Sequence, residues 1–367
     1  MKTIAIVYGG DSLEHDISIV TAFFVHEACQ KKKWPHCLIY LSRKGSFYCG
    51  KSLEKKENYA SLHGFHAGIF VRKKNRAYFV SRGKRKEIGV VLLCGHGKGV
   101  EDGTLGGYFD TLKIPVCYSG VETSAVLQNK ELTKRILRSE KIPVVKSRLV
   151  TKKDLMEHHF SLSNFLQGLR APYILKPLHL GSSIGVKKGN TKEELEKELP
   201  QLIHLEDAFL IEEAIEHLVE YNIAVVGDDR RIFLSDIEEV NHKDQVLSFH
   251  DKYEEFQDET TRVIPAILEE EVKRKIEQYA SKAFLKFGCR GVVRFDFFYQ
   301  KESGEVYLNE INSIPGSLAY YLFESKGMSF GELIEKLIDC AQYRAHYAQH
   351  QIHIYEESNL LHIARKK

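Results

Sequence analysis

At 367 residues the chain is too long for one compact core, so two or three domains are expected, each with its own interior. Its 43% hydrophobic and 28% charged residues exclude a disordered chain, and a formal net charge of +3 makes no electrostatic case for a nucleic-acid partner. Seven cysteines without a CxxC pair read as free thiols of a reducing compartment, the cytoplasm by default, and no apolar run is long enough to predict a membrane partner.

The opening Thr-Ile-Ala-Ile-Val-Tyr is a buried-strand run that ends at Gly9-Gly10, after which Ile17, Val20, Thr21 and Phe24 recur at helical spacing. Further strand segments at 37–41, 89–94 and 114–118 predict an open parallel sheet with helices over residues 1–118. Residues 51–86 are basic and irregular, an inserted hairpin or loop. A second unit, 119–213, holds a helical stretch at 124–140, a strand at 173–176, a turn at 181–185 and a strand at 208–212. Within it Thr191 and Glu194 form a capping box that opens a helix. The third unit, 214–367, is mixed α/β and ends, after Ala341, in a helix-like and then strand-like tail. The fold class is α/β with three domains.

The third unit carries the most informative pair of segments. Gly-Val-Val-Arg294-Phe-Asp296-Phe-Phe298 is followed, after a turn at Gly304, by Tyr-Leu-Asn-Glu310-Ile-Asn312-Ser-Ile-Pro315-Gly316. Strand alternation puts Arg294, Asp296 and Phe298 on one face, and Glu310 and Asn312 share a face of the second strand. Paired as a hairpin, these faces bring together two carboxylates, an amide oxygen and a guanidinium, which suits Mg²⁺ and phosphate oxygens. The plainer reading is an ion pair on a solvated hairpin.

Upstream, Lys176 ends a strand just before Gly181-Ser182-Ser183-Ile-Gly185, a small-residue loop whose N–H groups can approach an anion, or else a tight turn. It is not a Walker A loop, and Gly9-Gly10 does not complete a dinucleotide fingerprint. Lys130 is a second phosphate candidate or a solvated helix lysine. His96, in the loop 95–103 after a strand, is a ligand or a satisfied loop histidine. Glu14 could hold an ammonium group or merely favour a helix N-terminus.

Taken in order, these segments resemble the D-alanine:D-alanine ligase family of the ATP-grasp superfamily. The resemblance runs from Gly9-Gly10-Asp-Ser12-x-Glu14-His15 through Gly95-His96-Gly97, Glu101-Asp102-Gly103, Asn129-Lys130-x-x-Thr-Lys134, Lys176-Pro and Gly181-Ser182-Ser183-x-Gly185. It continues through Glu212-Glu213, Glu220, Lys252-Tyr253, Arg294-x-Asp296 and Glu310-x-Asn312-x-x-Pro315-Gly316. It implies an N-terminal open-sheet domain, central and C-terminal ATP-grasp subdomains with nucleotide between them, and ATP-dependent ligation of two D-alanines through an acyl phosphate for peptidoglycan precursors. By the same resemblance Asp296, Glu310 and Asn312 hold two Mg²⁺ ions, with Mn²⁺ an alternative. Lys130, Lys176, Ser182, Glu212, Glu213, Ile215, Glu220, Lys252 and Phe298 contact nucleotide. Glu14, His96, Arg294 and Tyr321 bind the D-alanines, Arg294 with the Gly316 N–H stabilises the oxyanion, and Glu14, Ser182 and Tyr253 link to close a lid. A homodimer is the family's usual state.

The chain departs from the family's pattern at Tyr321, where a serine is usual, at Asn129, where aspartate is common, and in a short lid at 249–253. These departures bear on the choice of second substrate, D-serine or D-lactate being the alternatives, and Tyr253 speaks against lactate. A nucleotide-binding regulatory protein without turnover, or a dinucleotide oxidoreductase, fits the metal-binding motif less well.

Overall fold

The computed structural model describes residues 2–157, 160–240 and 262–350, and these build three sheets in chain order. The first contains β1 (Thr3–Gly9), β2 (His36–Leu41), β3 (Phe47–Cys49), β4 (His66–Lys73), β5 (Arg76–Ser81), β6 (Lys84–Leu93) and β7 (Val116–Cys117). Helix α1 (His15–Lys31) follows β1 and α2 (Thr104–Thr111) precedes β7. The buried face of α1 carries Ile17, Ser18, Thr21, Ala22 and Val25, whereas Val20, expected on it, is exposed.

The sheet is closed, not open. β1 pairs in parallel with both β2 and β6, and antiparallel β3, β4 and β5 complete the ring. Two features close it. β6 is long enough for its first half to pair with β5 while its second half runs parallel between β1 and β7. The basic insert supplies the β4–β5 hairpin, whose two-residue turn Lys74-Asn75 is left-handed at both positions, the twist that matches flanking strands.

The helical stretch expected at 124–140 is two helices, α3 (Val121–Gln128) and α4 (Lys130–Ser139). Asn129 divides them: its backbone is extended and its side chain accepts from Leu132 N–H at 3.0 Å, capping α4 and placing Lys130 at the helix start. The second sheet, antiparallel throughout, has the order β10 (Lys187–Gly189), β9 (Tyr173–Pro177), β11 (Ala208–Glu213), β8 (Ser147–Thr151). Short helices α5 (Lys152–Met156) and α6 (Leu162–Phe165) precede β9, and α7 (Lys192–Leu202) packs Leu195, Leu199 and Leu202 on Tyr173, Leu175 and Phe209. Thr191 caps α7 as expected. The reciprocal half of the box is displaced by one residue, because Glu194 accepts from Asn190 N–H at 2.7 Å.

The third sheet runs β14 (Arg262–Val263), β13 (Ile232–Val240), β12 (Leu218–Gly227), β15 (Gly291–Gln300), β16 (Glu305–Asn312). Its apolar face packs Ile223, Val225, Val293, Phe295 and Phe297 on α8 (Glu270–Lys286). After the short helix α9 (Tyr320–Glu324), α10 (Phe330–Gln349) buries Leu333, Ile334 and Leu337 in the core shared by the first sheet and by Ala224, Val226 and Val292. The first and third sheets are therefore joined through one continuous interior. Among the described residues no helix is long and apolar enough to cross a membrane.

Candidate active site

Strands β15 and β16 pair as a hairpin with the two polar faces aligned: Arg294 lies opposite Asn312, and Asp296 opposite Glu310. Gly304 at φ 68° supplies the turn. Arg294 grips Asp296 with two bonds of 2.7 and 2.8 Å, and Asn312 Nδ2 donates to the same carboxylate at 2.9 Å. Asp296 also faces Asn222 on β12, which faces Glu238 on β13, so one polar row crosses four strands. Burial pushes the Asp296 carboxyl up, Arg294 pulls it down, and the neighbouring carboxylates Glu220 and Glu310 push it up again. Crowded acids of this kind fit a divalent cation. Among the described residues no three His, Cys, Asp or Glu side chains gather into a closed metal cage, so the donor set is two carboxylates and an amide with room for phosphate oxygens.

A bulge follows Asp296, since Asp296 pairs with Glu310 but Phe297 with Leu308. The unpaired residue is Asn309. Strict alternation hides this residue on the wrong face, yet the bulge turns its amide to accept from Lys176 Nζ at 2.9 Å. Lys176 also bonds Glu212 at 2.7 Å and lies 5.6 Å from the Phe298 ring centre. Lys130 reaches Glu310 at 3.1 Å and the Leu180 carbonyl at 2.6 Å.

Lys134 belongs to the same motif as Lys130 and had no role from sequence. It is buried, with Nζ 2.7 Å from Glu212. Glu212 thus lies between two lysines: burial pushes its carboxyl up, but the charges of Lys134 and Lys176 hold it at about 2. Burial lowers Lys134 despite its partner. The two 2.7 Å contacts describe an ionised triad.

Between the second and third sheets lies a cavity of about 500 Å³. Lys130, Lys176, Ser183, Glu212, Glu213, Ile215, Glu220, Asp296, Phe298 and Glu310 line it, which gathers most residues expected from sequence at a nucleotide; Ser183 is present in the wall in place of Ser182. Ser182 instead donates to the Glu14 carboxylate, tying the loop after β9 to the start of α1. Ser182 and Ser183 are both left-handed, at φ 52° and 58°. The Glu14 carboxyl is raised by burial and by the Glu101 carboxylate, with the Ser182 bond opposing. Gly97 is obligatory beside it: its φ is 75°, and a Cβ there would lie 2.9 Å from Glu14 Oε2.

His96 is buried, with Nε2 2.9 Å from Thr21 Oγ1 and Nδ1 2.9 Å from the Ile314 carbonyl. The Ile314 carbonyl can only accept, so Nδ1 carries a proton, and Thr21 Oγ1, which accepts from Ser317 N–H at 3.1 Å, bonds the other ring nitrogen. Both ring nitrogens are therefore used to join α1 to the loop after β16. Gly316 opens a turn in which Ser317, Leu318 and Ala319 are all left-handed (φ 51°, 54° and 49°), and the space where its Cβ would stand is empty to 4 Å. The Tyr321 hydroxyl donates to Glu238 at 3.4 Å. Lys252 and Tyr253 lie outside the described residues.

Two sheets that enclose lysines on one side and an acid pair on the other have the architecture of an ATP-grasp enzyme. Family models for the N-terminus and C-terminus of D-ala D-ala ligase match residues 3–120 and 136–339. The D-alanine–D-alanine ligase of Thermosipho africanus is 34% identical over 347 residues, covering 93% of each chain, and that of Enterococcus hirae is 33% identical over 348 residues, covering 91% of this chain and 94% of its own. Among solved structures, the D-alanine–D-alanine ligase of Coxiella burnetii superposes with a TM-score of 0.81 at 25% identity over 95% of this chain and 96% of its own. The VanG D-Ala:D-Ser ligase of Enterococcus faecalis gives 0.79 at 25% identity over 93% and 99%. The chain belongs to the D-alanine–D-alanine ligase family.

Proposed function

We propose that the protein joins two D-alanines into D-alanyl-D-alanine at the expense of ATP. The observation that carries this reading is the meeting of Lys130, Lys176, Asp296 and Glu310 around one cavity, with Arg294 bonded to Asp296. In this reading residues 1–118, 119–213 and 214–367 are three domains, with nucleotide between the last two. Asp296, Glu310 and Asn312 would hold Mg²⁺, which when bound neutralises phosphate charge.

The residues divide the work. Lys130 and Lys176 bind and orient the phosphates, each already held by an acid and a second acceptor. Glu14, fixed by Ser182, takes the ammonium of the donor D-alanine and points its carboxylate at the γ-phosphoryl group. A carboxylate is a poor electrophile, so phosphoryl transfer makes D-alanyl phosphate first. The acceptor's amine then attacks the acyl carbon, phosphate leaves, and Arg294 with the Gly316 N–H stabilises the oxygen that gains charge. Lys252 and Tyr253 belong to a closing lid in this scheme, which keeps water from the acyl phosphate.

A second reading, D-serine as acceptor, draws on the likeness to the VanG D-Ala:D-Ser ligase and on Tyr321, which stands where many relatives have serine. Purified protein with Mg²⁺-ATP, D-alanine and each candidate acceptor decides between them by product mass and phosphate release. One phosphate per D-alanyl-D-alanine supports the first reading. Dipeptide with D-serine alone supports the second, and phosphate without dipeptide refutes both.

A further inference from the structure

His179 has no part in the scheme above, yet its backbone N–H and both ring nitrogens are bonded. It follows β9 in the loop that leads to Gly181. Its N–H donates to Glu206 Oε2 at 3.0 Å, and its Nδ1 bonds the other oxygen of the same carboxylate. Burial pushes the Glu206 carboxyl up, but the two bonds from His179 bring it below the usual range, so it is ionised and only accepts. Nδ1 therefore carries a proton. On the other side of the ring, Nε2 lies 3.3 Å from Asn129 Nδ2. The Asn129 amide cannot turn over, because its oxygen accepts from Leu132 N–H as the cap of α4. Its Nδ2 donates, Nε2 accepts, and the imidazole is neutral.

The first residues of α4 also hold the loop on both sides of His179. Lys130 N–H donates to the Leu178 carbonyl at 3.3 Å, and Lys130 Nζ donates to the Leu180 carbonyl at 2.6 Å. Leu178 N–H donates to the Ala208 carbonyl at 3.0 Å. The loop entry is thus fixed by α4 on one side and by residues 206–208 on the other. Beyond it Leu180, Gly181 and Ser183 line the nucleotide cavity beside Lys130.

Resting on the nucleotide site of the ligase reading, we propose that His179 is a positioning residue for the phosphates: held neutral between Glu206 and Asn129, it seats the loop 178–183 against Lys130. The ring is 43% exposed, so its removal opens no core cavity. Asn129, one of the departures from the family's pattern, is the matching half. Aspartate would cap α4 equally well, but it would face Nε2 with an acceptor and call for a second ring proton. The charged groups beside the ring are Glu206, before β11, and Lys130, on α4.

The test is calorimetric binding of Mg²⁺-ATP without D-alanine, with steady-state KM values and melting curves beside it, for wild type, His179→Ala, His179→Asn and Asn129→Asp. His179→Ala should weaken ATP binding and raise KM for ATP about tenfold, as loss of a charge-assisted bond does, while KM for D-alanine and Tm stay near wild type. His179→Asn, whose amide can replace Nδ1 at Glu206 but cannot reach Asn129, should recover part of the affinity. Lowering the pH from about 8 to about 5, the range in which imidazoles gain charge, puts a proton on Nε2 and sets two donors face to face. Wild-type affinity should then fall more steeply than that of His179→Asn, and Asn129→Asp, which accepts that proton, should flatten the fall. ATP affinity unchanged in His179→Ala, or KM for ATP and D-alanine rising together with a lower Tm, overturns the inference, as does an Asn129→Asp profile as steep as wild type. Wild-type protein that binds ATP but makes no dipeptide sinks the D-alanine reading and leaves the inference standing. Failure to bind ATP removes both.

Discussion

Glu212→Gln is the substitution whose consequences the geometry fixes most tightly. The change keeps volume but removes the anion between Lys134 and Lys176, both 2.7 Å away. Lys176 keeps Asn309 as a partner; Lys134, buried, keeps the Val145 carbonyl at 3.3 Å but no anion. Breaking one side of a buried pair costs about 3–5 kcal/mol, because the other charge is left without compensation. Across 367 residues that corresponds to a fall in Tm of roughly 4–6 °C. The pH dependence gives a second, independent magnitude. Glu212 titrates at about 2 when folded against 4.5 for the free group. The unfolded chain therefore takes up the proton first as pH falls, so the stabilisation is full above pH 4.5 and is lost on descent toward 2. The shift is worth about 3 kcal/mol, lost at about 1.4 kcal/mol per pH unit. Thermal melts of wild type and variant between pH 7 and 3 should show a constant gap down to about pH 4.5 and a closing gap below it. Adding Lys134→Met should recover part of the loss, since no buried cation then lacks an anion. Equal Tm at pH 7, or a gap that stays constant to pH 3, refutes the ionised triad.

Glu310→Gln should lower turnover by about a hundredfold or more with an unchanged melting curve, because its pair with Lys130 is partly exposed and contributes little to stability while in the proposed scheme its charge is needed to hold Mg²⁺. Steady-state kinetics beside calorimetry checks both halves. Gly97→Ala places a Cβ against Glu14 and an alanine at φ 75°, so it should cost about 1–2 kcal/mol in stability. It should also raise KM for the donor D-alanine while leaving KM for ATP in place. Ala319→Gly should leave Tm close to wild type: relief of left-handed strain, about 1–2 kcal/mol, is offset by the entropy a glycine adds to the unfolded chain, about 0.5–1 kcal/mol, and by the loss of a buried methyl, about 0.8 kcal/mol. A clearly lower Tm would show that Ala319 is not strained.

The elements most legible in the sequence were those whose pattern is local. β1 is a continuous apolar run, and the β15–β16 hairpin alternates cleanly around Gly304, so its strands, turn and aligned faces could be read from residue types alone. The closed first sheet could not. Closure depends on β6 serving two sheet partners in its two halves and on an insert whose turn, Lys74-Asn75, lacks the glycine that advertises such hairpins. The split of α3 from α4 was hidden for a related reason: Asn129 sits inside a continuous helical pattern, and only its cap reveals the break.

Within the site, charge type was legible and pairing was not. Asp296, Glu310, Lys130 and Lys176 all reach the cavity, but which acid holds which lysine depends on the approach of two sheets. Asn309 shows the limit most sharply, because a one-residue bulge reverses the face that alternation assigns to it. The left-handed turn 317–319 is the opposite case, a conformation that sequence argues against, since none of Ser317, Leu318 and Ala319 is glycine. It persists because its first two N–H groups are bonded, Ser317 N–H to Thr21 and Leu318 N–H to the Pro315 carbonyl, and because Leu318 and Ala319 are buried. The same Thr21 hydroxyl fixes His96. Strain beside Gly316 is thus maintained by contacts from α1, so the Gly316 N–H and Glu14, proposed above to serve the acyl carbonyl and the donor's ammonium, are positioned by one helix. A change at Thr21, which touches neither substrate in the proposed scheme, should therefore disturb oxyanion stabilisation and donor binding together.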